Sequence, residues 1–282
     1  MTTTAITMVS ARSASSGRSS PDARFFAASA LLFAASAAVT IAWGTAMSEM
    51  GGMPMPGGWT MSMAWMRMPG QSWLAAAAAF LAMWIVMMVA MMLPSLVPML
   101  LRYRKAVGST SSIGSVGARL DGLTVLVSIG YFFVWVVLGL IIFPIGVTLA
   151  TIEMQQPAVS RAVPFAAGAI VLIAGALQFT AWKAHHLACC RLVPGHGRTL
   201  MADAVTALRH GLRLGLHCLN CTAGLTAILL VIGVMDLRAM AMVTAAITIE
   251  RLAPGPAGVR IARGIGAISV IAGVLLIVQA VR

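Results

Sequence analysis

Long apolar blocks alternate with short polar stretches along this chain, and the blocks set its architecture. Seven runs stand out: Phe25 to Met47, Trp73 to Leu101, Gly122 to Ala150, Pro164 to Trp182, Leu212 to Met235, Leu237 to Ile249 and Gly264 to Ala280. A helix needs about 20 residues to cross the hydrocarbon of a bilayer, and five of these runs meet that requirement outright. The run from Leu237 to Ile249 is short, and would need Arg238 and Glu250 to snorkel outwards. The last run is apolar enough but rich in glycine. The pattern predicts an all-α, polytopic transmembrane helical bundle of about seven helices, with six as the fallback. Composition agrees: of 282 residues 60% are hydrophobic and 9% charged, with a mean hydropathy of +0.95. Soluble globular domains do not have this make-up.

Charge settles the orientation to expect. The formal net charge is +12, a value that invites a nucleic-acid reading until the positions are considered. With the N-terminus cytoplasmic and seven helices alternating, one side holds Arg12, Arg18, Arg24, Arg102, Arg104, Lys105, Arg119, Lys183, Arg191, Arg198, Arg209, Arg213, Arg251, Arg260 and Arg263. The other side keeps Arg67, Arg161, Arg238 and Arg282. Fifteen against four is a strong positive-inside bias. No basic stripe interleaved with aromatics occurs, so nucleic acid is not an expected partner. The expected location is a bacterial inner membrane, as a multi-pass protein whose first helix is uncleaved.

Two divisions follow. Residues 1–24 read as a disordered, basic, Ser-rich cytoplasmic tail, and 25–282 as the transmembrane domain. Within the latter, the exterior segment 48–72 carries Met50, Met53, Met55, Met61, Met63, Met66 and Met68 among Pro and Gly. That density of breakers predicts an irregular loop or flap. Its methionines either hold Cu(I) through thioether sulfur or fill an interfacial loop. A cytoplasmic segment, 183–213, holds His185, His186, His196 and His210 with Cys189 and Cys190; His196 and His210 read as solvated loop residues.

Candidate chemistry is concentrated in soft donors. Met83, Met87 and Met91 are spaced by four in the second helix and form one stripe, with Met88 and Met92 on an adjacent one. Pro94 removes a backbone donor there, which Ser95 is placed to repair. Met87 and Met91 are candidate metal ligands, packing being the alternative. In the fifth helix His217, Cys218 and Cys221 fall within an arc of about 100°. If the fourth helix runs on to Arg191, then Gln178, His185 and Cys189 share one stripe and His186 and Cys190 the next. Thiolates with imidazole suit Cu(I) or Zn(II); a cytoplasmic-side cysteine pair is expected to be reduced. Glu250 beside Arg251 reads as a surface pair. No paired-carboxylate, Ser-His-Asp or phosphate-loop arrangement occurs.

From Trp84 to Pro254 the chain also resembles the bacterial predicted metal-binding integral membrane proteins, long described as a domain of unknown function. The likeness rests on Met87-Met88-Val89-Ala90-Met91-Met92-Leu93-Pro94-Ser95, on Gly130-Tyr131 with Trp135 and Gly139, and on Gln178-Phe179-Thr180, Lys183 and Cys190-Arg191. It continues through Gly211-Leu212-Arg213, His217-Cys218-Leu219-Asn220-Cys221, Gly233-Val234-Met235 and Glu250-Arg251. The chain departs from the family pattern at Thr222 and His186, where the family tends to have cysteine. The resemblance implies a polytopic protein with a metal site and no settled reaction.

The expected function is therefore a membrane protein that binds a soft ion, copper first and zinc second, for holding, delivery or transfer. Expected partners are the bilayer, the ion, and a membrane or periplasmic protein. A subunit of a metal-dependent membrane oxidase, or a metal-free assembly partner, are the alternatives.

Overall fold

The computed structural model describes residues 21–67, 70–108, 116–190 and 203–281. The N-terminal tail through residue 20, Met68, the stretch 109–115, His196 within 191–202 and Arg282 lie outside the described residues. The fold is all-α. Its helices are α1 (Pro21–Glu49), α2 (Trp73–Gly108), α3 (Val116–Gln155), α4 (Pro157–Leu177), α5 (Ala181–Cys189), α6 (Ala204–Ile232), α7 (Leu237–Leu252) and α8 (Ala257–Val281). Six of them, all but α5 and α7, are long and apolar enough to cross a membrane. Bands of exposed Leu, Ile, Val and Phe on these helices have no protein cover, as expected of surfaces solvated by lipid.

The short α7 is the helix that hydropathy left ambiguous. It starts with Leu237 packed on Gly44 near the end of α1, and ends with Arg251 against Ser95 of α2. The chain thus passes back through the bundle along α7 before α8 returns. Its sixteen residues span about 24 Å, less than the ~30 Å hydrocarbon thickness. Glu250 and Arg251 do not snorkel. They are 0% and 3% exposed, so in place of the surface pair expected from sequence there are two buried residues with separate partners, Lys183 for Glu250 and Ser95 with Cys218 for Arg251.

Small residues decide which helices approach closely. Gly211 and Gly215 of α6 lie against the backbone of Val127 and Tyr131 in α3, where a Cβ would overlap carbonyl atoms. The residue pairs advance together, so these two helices run parallel. Gly168 and Gly175 of α4 meet Gly273 and Gly266 of α8 in the same way, antiparallel. Such small-residue seams let backbones touch where no hydrophobic force separates protein from lipid. Across α2 and α3, Trp84 Nε1 donates to the Trp135 carbonyl at 2.9 Å, with the indole stacked over Gly139.

Two local outcomes differ from expectation. The fourth helix does not run on: Gln178 to Thr180 turn, and Thr180 caps a new helix by accepting from the Lys183 amide at 3.3 Å. The stripe joining Gln178 to His185 and Cys189 is therefore lost. His210 is no loop residue; it sits on α6 with its ring stacked on Tyr103 at 5.4 Å. The Met-rich segment between α1 and α2, expected as an irregular loop or flap, forms a hairpin, β1 (Met53–Met55) against β2 (Trp59–Met61), and a single 3-10 turn at Met63–Trp65. Trp59 Nε1 donates to the Ser160 carbonyl at 3.0 Å and Ser160 Oγ to that of Pro56 at 2.9 Å, which ties the hairpin to the start of α4.

Candidate metal centre

Sulfur and charge meet in one buried region where α2, α3, α5, α6 and α7 converge. The sequence reason is register. His217, Cys218 and Cys221 lie on one side of α6, but their side chains fan out to three different neighbours. Cys221 turns to the end of α5, where its side chain packs with that of Cys190. These two form a small buried cluster with Met99 and Leu187. Cys218 turns to α2, α3 and α7: its Sγ lies 2.9 Å from Tyr131 Oη, 3.0 Å from Arg251 Nη1 and 4.0 Å from Met92 Sδ. His217 turns to His186 of α5, with ring centroids 5.8 Å apart. All four cysteines are free thiols.

The charged frame is as notable as the thiols. Lys183 Nζ donates to Glu250 Oε2 at 2.7 Å and to the Cys221 carbonyl at 2.6 Å. Lys183 and Cys190, seven residues apart, thus both reach Cys221, so α5 lies along α6 at this level. Arg251 spreads its guanidinium over Ser95 Oγ (2.8 Å), Cys218 Sγ and Met99 Sδ (3.1 Å). Ser95 Oγ also donates to the Met92 carbonyl at 3.0 Å, rather than to that of Ala90, the carbonyl for which Pro94 offers no amide. Ionised groups in an apolar interior persist when paired and hydrogen-bonded, and here the pairing is dense.

The nine candidate ligands separate accordingly. Cys190 and Cys221 stand together, with Cys218 one turn away on α6. His186 and His217 face each other, and each has a buried Nδ1 without a partner among the described residues. His186 lies outside the spanning helices; burial first, then the neighbouring His217 and His185, hold its imidazole below the usual histidine range. The His186 ring is accordingly suited to accept a cation as a neutral base. Cys189 Sγ lies 3.5 Å from His185 Nε2 on the more exposed side of α5, apart from the buried thiols. Met87 and Met91 are buried in the main core, above the level of the thiols. Among the described residues, no group of three or more His, Cys, Asp or Glu is assembled to hold an ion. The donors come in pairs.

Sequence reasoning missed Met99, Tyr131, Lys183, Glu250 and Arg251 as parts of this region. A cue for Met99 was present: Met92, Ser95 and Met99 follow the i, i+3, i+7 spacing of a single helix face. All but Met99 were among the residues that carried the family resemblance.

A family model described as "PpoB2: Copper chaperone" matches residues 81–276, about two thirds of the chain. That interval contains every residue of the buried region just described. No curated protein and no solved structure matches.

Proposed function

The chain belongs to the PpoB2 copper-chaperone family, and on that premise we propose that it holds Cu(I) between the thiolates of Cys190 and Cys221, within an inner membrane, and passes the ion to a protein partner. The observation that carries this reading is the packing of two free cysteines, one from α6 and one from the end of α5, into a single buried cluster. Copper is cargo here, not a resident cofactor.

Donor chemistry favours copper over zinc. Structural zinc takes four ligands in a tetrahedron, whereas these donors are paired thiols flanked by thioethers. Soft thiolate and thioether sulfur select Cu(I), which is content with two close sulfurs. Charge supports the same choice. Lys183, Glu250 and Arg251 together leave one positive charge, and a bis-thiolate of Cu(I) carries one negative charge. Loading releases the two thiol protons and brings the region near neutrality. Arg251, already donating to Cys218 Sγ, steadies negative charge on neighbouring sulfur.

Hand-over proceeds by exchange of one sulfur at a time. The His186–His217 pair adjoins the thiols along α5 and α6, and Cys189 with His185 lies further towards the exposed side. These pairs offer successive footholds to a departing ion. An oxidase reading finds less support, since such sites want histidine and carboxylate ligands with an open position, and the buried carboxylate of Glu250 is already engaged by Lys183.

Metal retention tests the proposal. Detergent-purified protein loaded anaerobically with Cu(I) is expected to keep copper through desalting against a competing chelator, while protein loaded with Zn(II) is expected to lose its zinc. Retention of zinc with loss of copper would contradict it.

A further inference from the structure

A cavity of about 300 Å³ lies at the other end of the bundle. Its wall carries five thioethers from three separate parts of the chain. Met47 comes from the end of α1, Met50 follows it, Met63 opens the 3-10 turn and Met66 closes it, and Met83 comes from α2. The hairpin methionines play a different part. Met55 and Met61 are 8% and 2% exposed, packed with Ala150 of α3, and do not line the cavity. The Met-rich segment is therefore divided between packing residues and residues that face an open space.

The rest of the lining decides what that space accepts. Trp65 forms one wall and is pinned in place: its ring lies on Gly146 of α3, where a Cβ would overlap it, and it packs on Phe80 at 5.3 Å. Such a fixed aromatic face attracts a cation through its quadrupole. No carboxylate, histidine or cysteine lines the cavity. Arg67 does, with its guanidinium over the Trp73 ring at 5.1 Å. A hard divalent cation would find a positive neighbour and no anionic oxygen. Neutral thioethers instead suit a soft monovalent ion, which gains its stabilisation from sulfur donation rather than charge.

Methionines are also spaced along α2 between the cavity and Cys218. Met83 lines it, and Met87 and Met91 continue the same face of α2 one and two turns on. Met92 then lies 4.0 Å from Cys218 Sγ. Met83 and Met92 are nine residues apart, about 14 Å along the helix.

We propose that this methionine–tryptophan cavity is a capture site for Cu(I), distinct from the thiol pair and feeding it along the Met face of α2. This rests on the copper reading given above, but its residues are separate, so the two fail separately. The test is anaerobic Cu(I) titration of the full chain in detergent, reading bound copper against a chromogenic chelator and tryptophan emission together. The unaltered chain is expected to bind two Cu(I), the weaker one quenching tryptophan emission. Met47→Leu with Met63→Leu and Met83→Leu keeps side-chain volume and apolarity; it is expected to weaken the quenching ion by about tenfold or more, in the range that loss of a metal-supporting group brings. Cys190→Ser with Cys221→Ser is expected to leave that quenching ion in place. Quenching and affinity unchanged by the three Met→Leu substitutions would overturn the proposal and leave an apolar niche for an acyl chain. Loss of the methionine-dependent ion alone, with the cysteine pair indifferent to copper, would uphold the cavity and overturn the thiol reading instead.

Discussion

Cys190→Ser is expected to lower Cu(I) affinity more than about 100-fold, beyond the 10–100-fold that losing a merely supporting group brings. Cys221→Ser is expected to do the same, and the double variant little more. The reason is geometric. The two side chains pack together where α6 meets the end of α5, so either sulfur alone lacks a partner, and residues acting as a unit are not additive. Serine keeps the size of cysteine and replaces soft sulfur by hard oxygen, which changes ligand chemistry while barely altering the packing. Cys189→Ser is the control. Its sulfur faces His185 at 3.5 Å on the exposed side, and affinity at the thiol pair is expected to change by less than about threefold, within ordinary scatter for a group that is not a ligand. Competition against a Cu(I) chelator measures all four variants. Equal losses in the Cys189 and Cys190 variants would place the ion elsewhere on α5.

Glu250→Ala is expected to cause the largest loss of stability from any single substitution in the bundle, about 3–5 kcal/mol, the usual result of stripping one partner from a buried ion pair. Lys183 would remain 4% exposed with Arg251 nearby at 3%, two cations with no carboxylate between them. Replacing the pair together, Lys183→Met with Glu250→Leu, returns the net charge of the region to that of the unaltered protein and is expected to recover much of that loss. Thermal unfolding in detergent, with the single and double variants side by side, measures the coupling. A double variant as unstable as Glu250→Ala would mean that shape, not charge, sets the cost.

Much of the architecture was legible because membrane helices advertise themselves by length and apolarity. Six spans fall where long apolar runs occur, whereas the Gly- and Pro-rich segment between the first two, expected as an irregular loop or flap, folded as a short hairpin and turn. The helix break at Gln178 to Thr180 was harder, since it contains neither Pro nor Gly. Its cue was Thr180, a good N-cap residue three positions before Lys183.

The site was legible in type but not in assembly. Cys218 and Cys221 share a helix face, and this suggested one ligand set, yet the three-residue spacing rotates their sulfurs towards different neighbours. Sequence spacing measures angles on one helix and carries no information on which helix stands opposite. Glu250 and Arg251 show the same limit. Charged residues near a helix end beside Pro254 and Pro256 look like an interface, and only the 67-residue leap to Lys183 turns them inward. Their appearance among the resemblance-carrying residues, together with Lys183, was the available warning.

Copper K-edge X-ray absorption on the anaerobically loaded protein tests the central claim most directly, because it counts the atoms around the ion. The account predicts Cu(I) with sulfur neighbours alone at low coordination number, and loss of that spectrum in the Cys190→Ser, Cys221→Ser variant. A first shell dominated by nitrogen or oxygen, or a sulfur shell that survives the double substitution, would contradict it.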